Sequence, residues 1–285
     1  MAEKLYTFPW NYHPREIMFE KILIATDNSP LMKNAIEYTA TVFPYADFHL
    51  INVINTTDAS IPQTDLMQSK MAEISQEALD SGEKILKEMG IEDVKKRKPR
   101  GTPSKEIMRY IDEREIDVLV MATHSKTGSQ KVHIGETALH SLQITSIPSI
   151  VFSCECPTKT PKKIFNPTTF SSYSVEATML ALELAEHFGA TLTTYHIGKS
   201  DPGSLSRRVK KRAEEIGVDH SLEIEKGASD KKVLEKSKNF DFIVGSRGRK
   251  GLAYKFRHLF PSLALSSIEK ELIAESEVPF LMVGD

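Results

Sequence analysis

Three glycines, Gly245, Gly248 and Gly251, with Arg247 and Arg249 between them, are the residues of this sequence best suited to holding an anion. Glycine lets the backbone approach a phosphate closely and turn its N–H groups toward it. Other reactive residues lack partners of the right kind. Cys154 and Cys156 are the only cysteines. Their one-residue spacing is poor for a relaxed disulfide, and no second Cys pair completes a tetrahedral metal site. They read as two free thiols in a linker, with a thiol or metal site as the alternative. The nine histidines, His124, His133 and His140 among them, form no His-Glu-x-x-His or other recognised ligand spacing. Gly-x-Ser-x-Gly, Walker and Ser-Gly-Gly-x-Asp-Ser motifs are missing. The sequence therefore predicts no catalytic residue and no metal site.

The elements that must position the glycines occur twice. Lys21–Ala25 is a short apolar strand closed by Thr26-Asp27, and the layout returns from Lys163, with Thr169 where Asp27 stood. Val53 corresponds to Ile197, Gly101 to Gly227, Ala122 to Gly245, and Pro148 to Pro279. The second copy is shorter between its second and third strands and longer after its Gly-rich loop. A period this long is a domain duplication. In the first copy, Ser29-Pro30 opens a helix with Ala35, Ile36, Thr39, Val42 and Phe43 on one face. A second strand follows over Phe48–Ile54. Met67, Met71, Ile74, Ala78, Ile85 and Met89 predict the core-facing stripe of a long helix. Val94–Arg100 is a third strand, and Lys95–Lys98 read as a solvated sheet edge kept from pairing by lysines. Ser104–Glu113 is helical, Val118–Met121 is the fourth strand and Ile150–Phe152 the fifth. Alternating strands and helices predict an α/β fold: two repeated, open, doubly wound, parallel five-stranded sheets, with ligands at the carboxyl ends of the strands.

Residues 1–155 read as the first domain with an N-terminal extension, 156–161 as a linker and 162–285 as the second domain. The chain has 37 Lys and Arg against 39 Asp and Glu, so no strong field favours nucleic acid or an anionic membrane. No apolar run approaches a membrane span of about 20 residues, and the first residues lack a signal-peptide core. A cytoplasmic protein is expected, without membrane insertion. The basic run Arg207–Arg212 reads as a solvated helix face.

The order of these pieces, twice over, resembles the universal stress protein family in tandem two-domain form. The strand ending in Thr26-Asp27, the Gly101-Thr102-Pro103 turn, the loop from Met121 to Gly128 with Gly135 beyond it, its counterpart from Gly245, and the Pro-led strands at Pro148 and Pro279 carry the resemblance. It implies an adenine-nucleotide alpha-hydrolase-like sheet and a nucleotide site for ATP or AMP. The implied positions are Asp27, Val53, Gly128 and Gly135 in the first copy, and Gly245, Gly248, Gly251, Ser266 and Ser267 in the second. The family motif is Gly-x-x-Gly, nine residues, then Gly-Ser/Thr. The first copy departs from it at Ala122, Ser125 and Glu136. A carboxylate at that helix start repels a phosphate; two unit charges ~4 Å apart repel by about 4 kcal/mol at an effective dielectric of 20. The second copy lacks the acidic residue that would accept from adenosine. Degenerate nucleotide sites follow, with function through ligand or partner binding in stress. An ATP- or AMP-binding switch with at most slow hydrolysis is the alternative. The resemblance also implies pairing of the two domains through their fifth strands; a homodimer and a protein partner are further expectations. Residues 253–265, with Tyr254, Phe256, His258 and Phe260, and the aromatic first 18 residues are each either a lid, a partner surface or a segment packed on its own domain.

Overall fold

The computed structural model describes residues 18–57, 64–123, 134–171, 174–198, 202–225, 227–247 and 265–284. His124, Ser125, Gly128, His133, Gly248, Arg249, Gly251, the aromatic N-terminal segment and nearly all of the insertion lie outside these residues.

The first half runs β1 (Lys21–Ala25), α1 (Pro30–Val42), β2 (Asp47–Ile51), β3 (Ile54–Asn55), α2 (Asp65–Glu88), β4 (Val94–Arg97), β5 (Arg100–Gly101), α3 (Pro103–Arg114), β6 (Val118–Ala122), α4 (Glu136–Ile144) and β7 (Ser149–Phe152). The second runs β8 (Lys163–Thr168), α5 (Ser174–Phe188), β9 (Thr191–His196), α6 (Gly203–Ile216), β10 (His220–Ile224), α7 (Asp230–Ser237), β11 (Phe242–Ser246), α8 (Ser267–Glu275) and β12 (Phe280–Val283). The strands form one ten-stranded sheet in the order β10-β9-β8-β11-β12-β7-β6-β1-β2-β4. Each half supplies five parallel strands, and the halves meet where β12 pairs antiparallel with β7, Leu281 opposite Ile150. The two expected sheets are thus continuous through their fifth strands. Both strands are fully buried.

Alternation along the strands splits the core into two layers. Ile22 and Ile24 face one, Leu23 the other, and each layer draws on both halves. Tyr38 of α1 reaches across the join, with Phe152 at 5.4 Å and Phe242 at 6.5 Å between ring centroids.

Two expectations need correction. The third strand of the first half is broken at Lys98-Pro99, and its second part, β5, pairs with β3 in a separate two-stranded sheet. Proline has no N–H for the ladder, so the break falls there. Of the predicted stripe of α2, Ala78 is buried and Ile85 packs against the core, but Met67, Ile74 and Met89 are exposed; Ser75, Leu79, Gly82 and Leu86 complete the buried face. At Gly82 a Cβ would stand 3.0 Å from Leu50 Cδ1, so the helix lies close on β2 there. Pro167 lies within β8. It pairs in register with Tyr195 of β9, while pairing of β8 with β11 stops at Phe165. Beyond that point the buried Asn166 side chain donates to the Val244 carbonyl at 2.7 Å.

The basic strand β4 is an edge of the sheet, as its lysines suggested. Lys95 pairs with Asp47, and Lys96 with Asp80 at 2.9 Å and Glu83 at 2.5 Å. The basic helix α6 is laced with its own glutamates, Lys211 to Glu215 at 3.7 Å among them.

Candidate functional site

In the first half the sheet order reverses between β1 and β6, because β1 leads to β2 on one side and has β6 on the other. Ligands of open α/β sheets sit at the carboxyl ends of such strands. There the Thr26 N–H donates to the Ile51 carbonyl at 3.0 Å, and the Asn52 side chain donates to the Thr26 carbonyl at 2.6 Å. Asp27 follows, exposed, with Oδ1 accepting from the Ser29 N–H at 3.0 Å. Asn28 adopts a left-handed conformation, φ 63°, which Asn tolerates better than most residues. Ser29 then caps α1 by accepting from Met32 N at 3.1 Å. Val53 is half-buried just after β2.

Gly135 is the N-cap residue of α4, with an ordinary φ of −54° and no side chain to satisfy the first-turn amides. Such a helix end attracts an anion. Glu136, the first helical residue, places the chain's own exposed carboxylate there.

The second half repeats the backbone and replaces the chemistry. Thr169 stands in the place of Asp27, its hydroxyl 3.1 Å from Ser171 Oγ and 3.4 Å from Ser174 Oγ. Phe170 repeats the left-handed turn at φ 51° and is buried against the His196 ring, centroids 5.5 Å apart. Gly245 lies inside β11, not in a loop, opposite Met282; a Cβ on it would come within 3.1 Å of the Phe280 ring. Its small size therefore serves packing between strands. Ser266 is the N-cap of α8, and Ser267 is its exposed first residue. The Ser266 N–H is taken by Glu269 Oε2 at 2.6 Å, and Glu269 is buried. This helix start thus already holds a carboxylate from its own first turn.

Arg247 also departs from its expected role. It is 2% exposed, and its guanidinium donates to the carbonyl of Thr145, the C-cap of α4. A cation at a helix C-terminus is favoured by the dipole. The opposite side of the join is built differently. Ser153 Oγ donates to the carbonyl of Ser276, the C-cap of α8, at 2.7 Å, and Thr123 Oγ1 lies 3.5 Å from the Ile273 carbonyl. Gly284 packs on the backbone of the first half, where a Cβ would fall 2.1 Å from the Ser146 carbonyl oxygen. The ends of β6, β7 and β11 therefore lock the halves together.

One repeated pair escaped the sequence reading. Asp117 accepts from the Lys21 N–H at 2.8 Å and returns its own N–H to the Lys21 carbonyl at 3.0 Å. Asp241 accepts from the N–H groups of Lys162 and Lys163 at 2.9 and 3.0 Å, and its N–H reaches the Lys163 carbonyl at 2.9 Å. The matched Asp after each third helix was the available signal. Among the described residues, no group of three or more His, Cys, Asp or Glu side chains is placed to hold a metal ion, and no helix is long and apolar enough to cross a membrane.

Residues 18–153 match the sequence model of the universal stress protein family. A universal stress protein of Methanocaldococcus jannaschii is 26% identical over 169 residues, covering 57% of this chain and 95% of that protein. The structure of a universal stress protein from Archaeoglobus fulgidus superposes with a TM-score of 0.76 at 21% identity, covering 93% of this chain and 97% of the other. A putative universal stress protein from Pseudomonas aeruginosa gives 0.60 at 16% identity, with 93% of each chain covered. These two structures share the fold across both halves.

Proposed function

We propose that the chain is a tandem, non-catalytic universal stress protein acting in stress response through a ligand or protein partner, with degenerate nucleotide sites; the family match over residues 18–153 and the relative at 26% identity support this reading. Residues 1–155 and 162–285 form its two domains, and it works in the cytoplasm. The observation that carries this reading is a carboxylate of the chain's own in the first turn of each helix that would face an anion. Glu269 is buried on the Ser266 N–H at the start of α8, and Glu136 opens α4. Thr169 in place of an acidic residue supports it further, since its hydroxyl engages its own turn.

A second reading, an ATP- or AMP-binding switch with at most slow hydrolysis, draws on Asp27. Its exposed carboxylate follows the carboxyl end of β1, and α4 starts at Gly135 without a side-chain cap. Calorimetry with ATP on the full chain separates the two. The degenerate reading expects no binding at micromolar nucleotide, with binding gained in Glu136→Ser. Tight ATP binding by the unaltered chain overturns it and selects the switch.

A further inference from the structure

Between β7 and β8, the chain passes over α1 through Cys154 and Cys156, and neither cysteine is in a disulfide. Their sulfurs stand 3.4 Å apart. A disulfide needs about 2.05 Å, a closure within reach of side-chain rotation. The backbone beneath them is held. Asn34 of α1 grips Cys156 from both sides, accepting from its N–H at 2.8 Å and donating to its carbonyl at 2.9 Å. The two thiols differ in access: Cys154 is half-buried, whereas Cys156 is 5% exposed. Cys156 also borders a cavity of about 160 Å³ lined by Tyr38, Pro157, Lys159, Phe240 and Asp241. That volume corresponds to a few water molecules at about 30 Å³ each, so one side of the thiol borders open space. The Tyr38 hydroxyl is buried beside it without a hydrogen-bond partner.

We propose that Cys154 and Cys156 are a reversible dithiol–disulfide site that exchanges with small-molecule disulfides. The Cys154 thiolate attacks one sulfur of the small disulfide, forming a mixed disulfide and releasing one thiolate. Cys156 then attacks the Cys154 sulfur, closing the protein disulfide and releasing the second thiolate. The small disulfide is reduced to two thiols, which take up the two protons lost by the cysteines, and the protein dithiol is oxidised. Thiol–disulfide exchange of this kind depends on access and on the thiolate fraction.

The pair is ordered for this sequence. The Cys156 thiol is pushed up by its hydrogen bond with Cys154, then by burial, then by the Cys154 charge. The first and last of these causes come from the Cys154 thiol and change when it enters a mixed disulfide, whereas burial and the 3.3 Å contact of the Cys156 Sγ with the Cys154 carbonyl remain. The one-residue spacing makes the closed form strained, and strained disulfides are the labile ones. The site therefore responds to redox poise and is not a permanent crosslink.

Equilibration of the full chain in reduced and oxidised glutathione of graded ratio, followed by acid trapping, alkylation and peptide mapping, tests this. The expected product is an intramolecular Cys154–Cys156 disulfide that grows with the oxidised fraction and is reversed by excess reduced glutathione. Cys156→Ser should stop at a mixed disulfide on residue 154, and Cys154→Ser should stay unreacted while folded. Asn34→Ala should lower the disulfide population at a fixed glutathione ratio. Mixed or interchain disulfides alone in the unaltered chain overturn the proposal, as does closure only under denaturant or rapid modification of the folded Cys154→Ser protein.

Discussion

Asp241 ties the start of β8 to the start of β11, and its ionisation makes that tie dependent on pH. Burial raises its pKa, but the N–H groups of Lys162 and Lys163 and the Lys159 ammonium outweigh burial and hold the carboxyl below its usual range. A carboxyl whose pKa is depressed by folding stabilises the fold fully above its unfolded value, about 3.9. That contribution is lost as the pH falls through the lower, folded value. Urea midpoints measured from neutral to strongly acidic pH should fall for the unaltered chain in that window. Asp241→Asn should start less stable at neutral pH and show a shallower decline; parallel curves would remove Asp241 from the account. Asp27, Val53 and Gly135 could be located in advance because each sits at a strand end or helix start fixed by local pattern. Arg247 could not. Its neighbours in sequence suggested a phosphate loop, whereas its partner, Thr145, comes from the other half of the chain. Glu269 was missed because a carboxylate in the first turn of a helix is ordinary, and only its burial marks it.

At the scale of elements, strands were easier to read than helix faces. A run such as Ile22-Leu23-Ile24 is buried on both sides of a parallel sheet, so composition alone reveals it. The buried face of α2 depends on Gly82 and Ser75, whose smallness carries no hydrophobic signal but sets how closely the helix lies on Leu50 and Ile36. The same logic governs the end of β12. Gly284 has no room for a side chain against the Ser146 carbonyl. Gly284→Ala should destabilise the chain by about 1–3 kcal/mol, the usual cost of overpacking, unless the terminal backbone shifts freely. Equilibrium unfolding in urea checks it, and an unchanged midpoint would show that the contact yields.

At the scale of the whole molecule, the antiparallel join makes the ten strands one mechanical unit. Scanning calorimetry should show a single transition for both halves, with the same midpoint by far-ultraviolet circular dichroism. Leu281→Lys puts an ammonium into a fully buried position opposite Ile150, so it should lower that midpoint sharply or split the transition in two. An unaltered midpoint would mean that the halves are held together elsewhere. The join also sorts its partners. By the internal repeat, the first half carries Ser153 where the second carries Gly284. Two first halves meeting face to face would therefore drive a side chain into the space that the Ser146 carbonyl leaves only for a bare backbone. They would also lack Arg247 for the end of α4, since the matching position is His124. The join is matched to the unlike copy: Gly284 and Arg247 come from the second half, Ser146 and Thr145 from the first. The edge strand β7 of the first half thus finds its matched cover in the half that is synthesised after it.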